Sequence, residues 1–340
     1  MPIGKLKELV KKQKLVIAFI IFIIFWPVVF IGSAVFPFPL QTDIVSKQVD
    51  QSLPIMDPDS SLWAQALPNE IPLGAQTVTK PILATPSIHT VTVSSLHNDS
   101  WIVFRLEWED SIKDVSTVGT EFYQDAAALQ FPVLDETPFL GMGEEEQPVN
   151  IWQWRSDWQE DINEAYKEVE DTYPNMWVDF YPFSISEPPY IIPLLETIDN
   201  VAVPGWAAEN PLSQPIKVTP ISDLIAEGFG TLTFKPDQKV IGRGVWENGV
   251  WKVVYARPLD TGDPSDTQFT VGEENSIAIA VWDGDNREVD GRKGVSAWLT
   301  MKVEGSSFLP FSINIDDAFS SLALVGTAAV LLSKPTRYIR

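Results

Sequence analysis

Met142 stands between Gly141 and Gly143 and is one of only five methionines in 340 residues. A thioether is a soft, neutral donor suited to soft or intermediate metal ions; a methionine that simply fills a gap in a core is the alternative. The rest of the composition narrows the competing chemistry. The chain has no cysteine, which excludes thiolate-ligated iron–sulfur clusters, covalent c-type haem, thiolate zinc sites and disulfides. His89 and His97 are its two histidines, which argues against a multi-histidine metal centre or a bis-histidine haem. His97 opens the turn cluster His97-Asn-Asp-Ser100 and His89 precedes a strand pattern, so both read as structural. Asp283-x-Asp285-Asn286 with Asp290 resembles a calcium loop but lacks the full spacing and terminal glutamate of an EF-hand; a turn-rich connection is the other reading. Glu144, Glu145 and Glu146 have an exposed pattern, and there is no nucleophile elbow, phosphate-binding loop or dinucleotide fingerprint. The sequence carries no hydrolase site.

The elements that must position these residues are mainly strands. Thr90-Val-Thr-Val-Ser alternates, and Trp101–Trp108 returns with Ile102, Phe104, Leu106 and Trp108 on one face against Val103, Arg105 and Glu107. This pair predicts a hairpin. Asp125–Pro132 is a further strand, and Met142 follows it by a short connection. Val149–Trp154 alternates again. Residues 157–172 predict an acidic amphipathic helix with Trp158, Ile162, Tyr166 and Val169 as its stripe. Residues 173–220 are irregular and rich in Pro, Tyr and Trp. Strand pattern resumes at 230–234, and Asn248-Gly249 between two alternating runs is the strongest hairpin signal in the chain. Strands at 276–282 and 296–303 follow. The series predicts a mainly β chain folded as an antiparallel sandwich.

The ends read differently. Residues 1–14 carry Lys5, Lys7, Lys11, Lys12 and Lys14 against Glu8, and Leu15–Phe36 runs without a charge. That predicts a cytoplasmic basic flank and a retained transmembrane anchor at 15–36, with the remainder outside the cytoplasm. Residues 37–88 read as a tether and edge segment. The uncharged run 318–333, flanked by Asp316 and Asp317 before and Lys334, Arg337 and Arg340 after, reads as a second span or a buried helix. Of the net charge of −22, the basic ends contribute +4 and +3, which leaves −29 for the region between them. Such a surface repels nucleic acid.

Five segments together carry a family resemblance. They are Arg105-Leu-Glu-Trp-Glu-Asp110, Asp125–Pro132, Gly141-Met142-Gly143 with Pro148–Trp154, Glu227–Thr233 leading to Gly242–Arg257, and Ile277–Lys293. In this order they resemble the haem b-binding γ subunits of ethylbenzene dehydrogenase-type molybdenum enzymes, over about residues 90–303 with an interruption. The resemblance implies a β-sandwich similar to family-nine carbohydrate-binding modules, placed at 89–310 with an insertion at about 156–222. It implies one haem b with methionine and lysine as axial ligands. Met142 matches the methionine; the lysine maps to Lys239, with Lys235 as the alternative. It also implies an electron-transfer subunit rather than a catalyst. The partners would be an iron–sulfur β subunit, a molybdopterin α subunit of the DMSO reductase type and a redox carrier at the membrane. A haem-free binding module of the same fold, recognising carbohydrate or protein through exposed aromatics, is the rival expectation.

Overall fold

The computed structural model describes residues 44–139, 141–175 and 209–305. The expected anchor at 15–36 and second span at 318–333 lie outside them. Among the described residues no helix is long and apolar enough to cross a membrane.

The structure is mainly β, as the alternation predicts. One series of strands runs β10 (Ile241–Glu247), β11 (Val250–Pro258), β5 (Trp101–Glu109), β4 (Thr90–His97), β1 (Ile44–Gln48), β14 (Leu299–Val303) and β12 (Glu274–Trp282). A second runs from β12 through β6 (Ala126–Pro132), β7 (Val149–Arg155) and β8 (Ile221–Ala226) to β9 (Thr233–Phe234). Strand β12 belongs to both: Glu274–Ile277 pair with β14, and Ala278–Trp282 pair with β6. The short strands β2 (Asn69–Pro72), β3 (Gly74–Ala75) and β13 (Gly294–Val295) pair with β4, with β13 and with β12 respectively.

Period-two alternation decides which side chains meet between the two series. Phe104, Leu106 and Trp108 of β5 and Trp251, Val253 and Tyr255 of β11 join Ala127, Leu129 and Phe131 of β6 and Trp152 and Trp154 of β7 in one buried core. The aromatic seam is close-packed: Phe131–Trp152 and Trp154–Trp251 centroids lie 4.8 Å apart. Tyr255 spans the core and donates its hydroxyl to the Ala127 carbonyl at 2.8 Å. Each series also has an outer apolar face. Leu96, Val103, Val254 and Ala256 are covered by the segment carrying Val49, Leu53, Leu62 and Trp63. The other outer face, on β6, β7, β8 and β12, carries the candidate site.

The 90–108 and 241–258 hairpins form where predicted. Asn248 and Gly249 both have positive φ (53° and 80°), the two-residue turn that matches strand twist. Several expectations are corrected. Residues 37–88 are more than a tether and edge: Ile44–Gln48 is an inner strand, parallel to both β4 and β14, so the sheet is mixed. Its pattern is too short to stand out from the surrounding proline-rich sequence. His97 is not a turn residue but the fully buried end of β4, with Nδ1 3.2 Å from Ser46 Oγ, and burial lowers its pKa. The helix over 157–172 is broken into α1 (Ser156–Asn163) and α2 (Val169–Thr172), and of its stripe only Trp158 is buried. Strand β8, in the gap between the irregular stretch and the pattern that resumes at 230, is identified by its pairing with β7 and β9.

Gly244 of β10 lies directly against the Trp154 indole, and a Cβ there would overlap the ring. Gly244→Ala is expected to destabilise the chain by about 1–3 kcal/mol through overpacking, measured as a lower urea midpoint at unchanged m-value.

Candidate functional site

Met142 is carried by the connection from β6 to β7. That connection is held at its base by Val133 N–H to the Pro148 carbonyl, and closed by reciprocal backbone bonds between Glu144 and Gln147 at 3.2 and 2.9 Å. Met142 N–H donates to Gln130 Oε1 at 3.0 Å, and its carbonyl accepts from Gly228 N–H at 2.9 Å. The loop is thereby fixed both to β6 and to the turn after β8. Met142 has φ +70°, a left-handed conformation that costs a non-glycine residue energy. Gly143 has φ +77°, and a Cβ on it would come within 2.7 Å of the Ala226 carbonyl and 2.9 Å of the Gln147 carbonyl. Gly141 has nothing within 4 Å of such an atom. Of the two glycines, contact requires only the second.

The half-buried thioether packs on the outer face of the β6–β7–β8–β12 series. Ala126, Ala128, Val149, Ile151, Leu224, Ala226 and Trp282 are buried there, with Phe234, Ala280 and Trp298 packed beside them. Ala128 pairs with Ala280, and Ala126 with Trp282. Adjacent alanines on neighbouring strands make a low, flat apolar floor.

Lys293 reaches the same place from the loop that leaves β12 and enters β13. Its Nζ lies 3.8 Å from Met142 Sδ and 4.8 Å from the centre of the Trp282 ring. The loop is anchored by Gln76 N–H to the Lys293 carbonyl at 3.0 Å and Gln76 Nε2 to the Gly291 carbonyl at 2.7 Å. Among the described residues no carboxylate forms an ion pair with Lys293. Burial lowers its pKa to about 8, against a small opposing effect of Asp290. An amine without an ion-pair partner, set beside a thioether and an aromatic ring, is a nitrogen that burial makes easier to deprotonate. The pair is a mixed sulfur–nitrogen donor set in apolar surroundings. It fits an iron porphyrin, whose planar ring the alanine floor and Trp282 can cover, and does not fit a hard cation.

Lys235 and Lys239 occupy a different environment. The Lys235 ammonium is buried between Asp266 and Asp263, 3.1 Å from Asp263 Oδ2. Lys239 Nζ is 3.5 Å from Asp263 Oδ2 and 3.7 Å from Asp266 Oδ2. Arg257, fully buried, completes the group: its guanidinium lies 3.5 Å from Asp266 Oδ1, donates to Asn150 Oδ1 at 2.9 Å and stacks 4.7 Å from the Trp152 ring. Both lysines are engaged by carboxylates, and neither is placed with Met142.

The family model described as ethylbenzene dehydrogenase matches residues 60–191 and 192–294. The chain belongs to this family. A protein of Haloferax mediterranei named as a respiratory nitrate reductase heme subunit is 25% identical over 276 residues, covering 81% of this chain and 78% of its own. The chlorate reductase subunit gamma of Ideonella dechloratans is 22% identical over 241 residues, 70% of this chain and 75% of its own. The dimethylsulfide dehydrogenase subunit gamma of Rhodovulum sulfidophilum matches at 43% over 54 residues, 16% of this chain and 20% of its own. Among solved structures, a family-nine carbohydrate-binding module from Caldicellulosiruptor kristjanssonii in complex with glucose aligns with 80% of this chain and 98% of its own, at 8% identity and a TM-score of 0.37.

In this member of the ethylbenzene dehydrogenase family, the residue that meets Met142 is one that mapping by motif order passed over. Lys293 ends the last of the five matching segments, so the signal was present as the final position of Ile277–Lys293. The aromatic platform expected of a haem-free module is not supplied by Trp152, Trp154 or Trp158, all of which are buried; Trp177 and Trp206 lie outside the described residues. Lys235→Ala is expected to cost about 1.5–3 kcal/mol, because Asp266 loses one charged hydrogen-bond donor but keeps Arg257 and Lys239 beside it, measured by equilibrium unfolding.

Proposed function

We propose that this chain is the haem b electron-transfer subunit of a molybdenum oxidoreductase, in which Met142 and Lys293 would hold the haem iron. The observation that carries this reading is the meeting of Met142 Sδ and Lys293 Nζ at 3.8 Å over an alanine-lined apolar face. We favour Lys293 over Lys239 and Lys235 because those two are engaged by Asp263 and Asp266 and only Lys293 lies beside Met142.

Bound there, the haem supplies a one-electron ferric/ferrous couple. The residues of the chain set its terms. Met142, a neutral thioether, favours the ferrous state and raises the potential. Lys293 ligates only after losing its proton, and its burial lowers the cost of that loss. Gln130 and Gly228 hold the Met142 backbone, and Gln76 holds that of Lys293, so neither donor depends on the other for its position. Trp282 and the alanines keep water from the ring.

In this reading electrons pass one at a time between the iron–sulfur β subunit of a complex whose α subunit holds molybdopterin, and a respiratory carrier. The anchor at 15–36 ties the domain to the membrane, the basic flank 1–14 places the domain outside the cytoplasm, and 318–333 serves as a second attachment. The names of the nitrate and chlorate reductase relatives support a respiratory complex. The chain itself performs no bond-making chemistry on the substrate.

Purified protein is expected to give a b-type pyridine haemochrome with about one haem per chain. Met142→Ala and Lys293→Met should each change the ferrous and ferric spectra, and Met142→Ala should lower the potential. Lys239→Ala should leave the spectra unchanged. A Lys239→Ala variant with altered ligation and a Lys293→Met variant without it would overturn the assignment. Molybdenum in the co-purified complex tests the partner.

A further inference from the structure

Three carboxylates converge away from the haem site. Asp110 follows β5, Asp125 precedes β6 and Asp283 follows β12, and one oxygen from each lies within 4.8 Å of the others. All three side chains are buried, to 5%, 0% and 8% exposure. Among the described residues none of them forms an ion pair with lysine or arginine.

Most of their oxygens are accounted for. Asp125 accepts from Gly284 N–H at 3.0 Å, from Asp114 N–H at 2.8 Å and from Trp251 Nε1 at 3.0 Å. Asp283 Oδ1 accepts from Asp285 N–H at 2.9 Å and Asn286 N–H at 3.4 Å, which is the turn-forming role its sequence context predicts. Asp110 Oδ1 accepts from Ile112 N–H at 3.1 Å. Asp110 Oδ2 is different: it is buried without a well-formed hydrogen bond, although the Trp108 indole N–H, itself unsatisfied, lies close enough to favour the charged carboxylate, and Asp114 Oδ2 nearby also lacks a well-formed bond. A buried carboxylate oxygen without a donor is costly. Two further carboxylates lie close to this side chain, which raises the cost.

The approach of the three segments is built in. A Cβ on Gly284 would overlap the Tyr123 carbonyl, so only glycine lets the end of β12 come so close to the segment before β6. The cluster also has access to solvent. A concavity of about 570 Å³ has Asp110, Asp283, Asp285 and Ser87 in its wall.

We propose that Asp110, Asp125 and Asp283 form a calcium site, with Asp110 Oδ2 as a ligand and water from the concavity completing the shell. The donors are all hard oxygens, and they come from three separate segments in an irregular arrangement. Calcium accepts six to eight such ligands flexibly, whereas magnesium requires a near-ideal octahedron. Burial and mutual repulsion push the carboxyl of Asp110 up to about 7 and that of Asp125 up to about 8. A shared proton is therefore the competitor that calcium must displace. The site is independent of the haem reading, because none of its residues touches Met142 or Lys293.

Trp251 donates to Asp125 and stacks on Trp108 at 6.4 Å, which provides a built-in sensor. Terbium ion bound at this site should show luminescence sensitised by tryptophan excitation, and calcium should displace it. Equilibrium dialysis of the purified full-length chain should find one calcium per chain. Calcium at about a hundredfold excess over Kd should raise Tm by about 5 °C, reversed by chelator. Asp110→Asn and Asp283→Asn should each abolish the sensitised signal and the Tm response. If either variant fails to fold, the wild-type stoichiometry and displacement decide the matter alone. A wild-type chain with no displaceable terbium signal and no calcium-dependent Tm overturns the proposal. So does an Asp110→Asn variant that binds calcium as the wild type does, or one more stable than wild type with or without calcium, the behaviour of a proton-sharing pair.

Discussion

The pairing of β12 on both edges is the constraint on which the remainder of the structure depends. Its first half belongs to β14 and its second half to β6, so one strand joins the two sheet series. Its inward residues, Ile277, Ile279 and Val281, enter the common core, while Ala280 and Trp282 face outward. A slip of one residue would exchange these sets and turn Trp282 into the core. The same strand ends at Asp283 and opens the loop that returns as Lys293. The thioether floor, the lysine approach and the acidic cluster are thus registered by one ladder of hydrogen bonds.

Desolvation has opposite consequences at different buried charges. Lys235 and Arg257 are buried beside Asp266 and Asp263, whose negative charge opposes the lowering of the Arg257 pKa by loss of water. Lys293 forms no ion pair with an acid, and loss of water outweighs the pull of Asp290 and lowers its pKa. Asp110 and Asp125 are buried together without a cation, and the same effect pushes their carboxyls upward. Burial alone does not give a residue its role; the charge of its neighbours does.

Much of this was legible along the chain. The Asn248-Gly249 turn, the alternation of Ile102 to Trp108 and the apolar run before Asp283 each specify a strand or hairpin through local sterics and periodicity. Met142 was legible as a candidate ligand because its composition left few rivals. Strand β1 was not, since a five-residue parallel strand has no turn to mark it. His97 was misplaced because its Asn-Asp neighbours form the turn that begins one residue later.

By itself the sequence determined a mainly β domain, a methionine freed by its backbone and a family membership that the full comparison supports. Only the tertiary structure decided which lysine meets that methionine. Lys293 lies 151 residues from Met142, and nothing periodic or local connects them. Their meeting follows from the register of β12 against β6 and from the loop anchored by Gln76. Lys235 and Lys239 have the same side-chain chemistry, but folding places them beside Asp263 and Asp266. Charge state in a protein interior depends on neighbours brought together by long-range pairing, and linear spacing does not encode those neighbours.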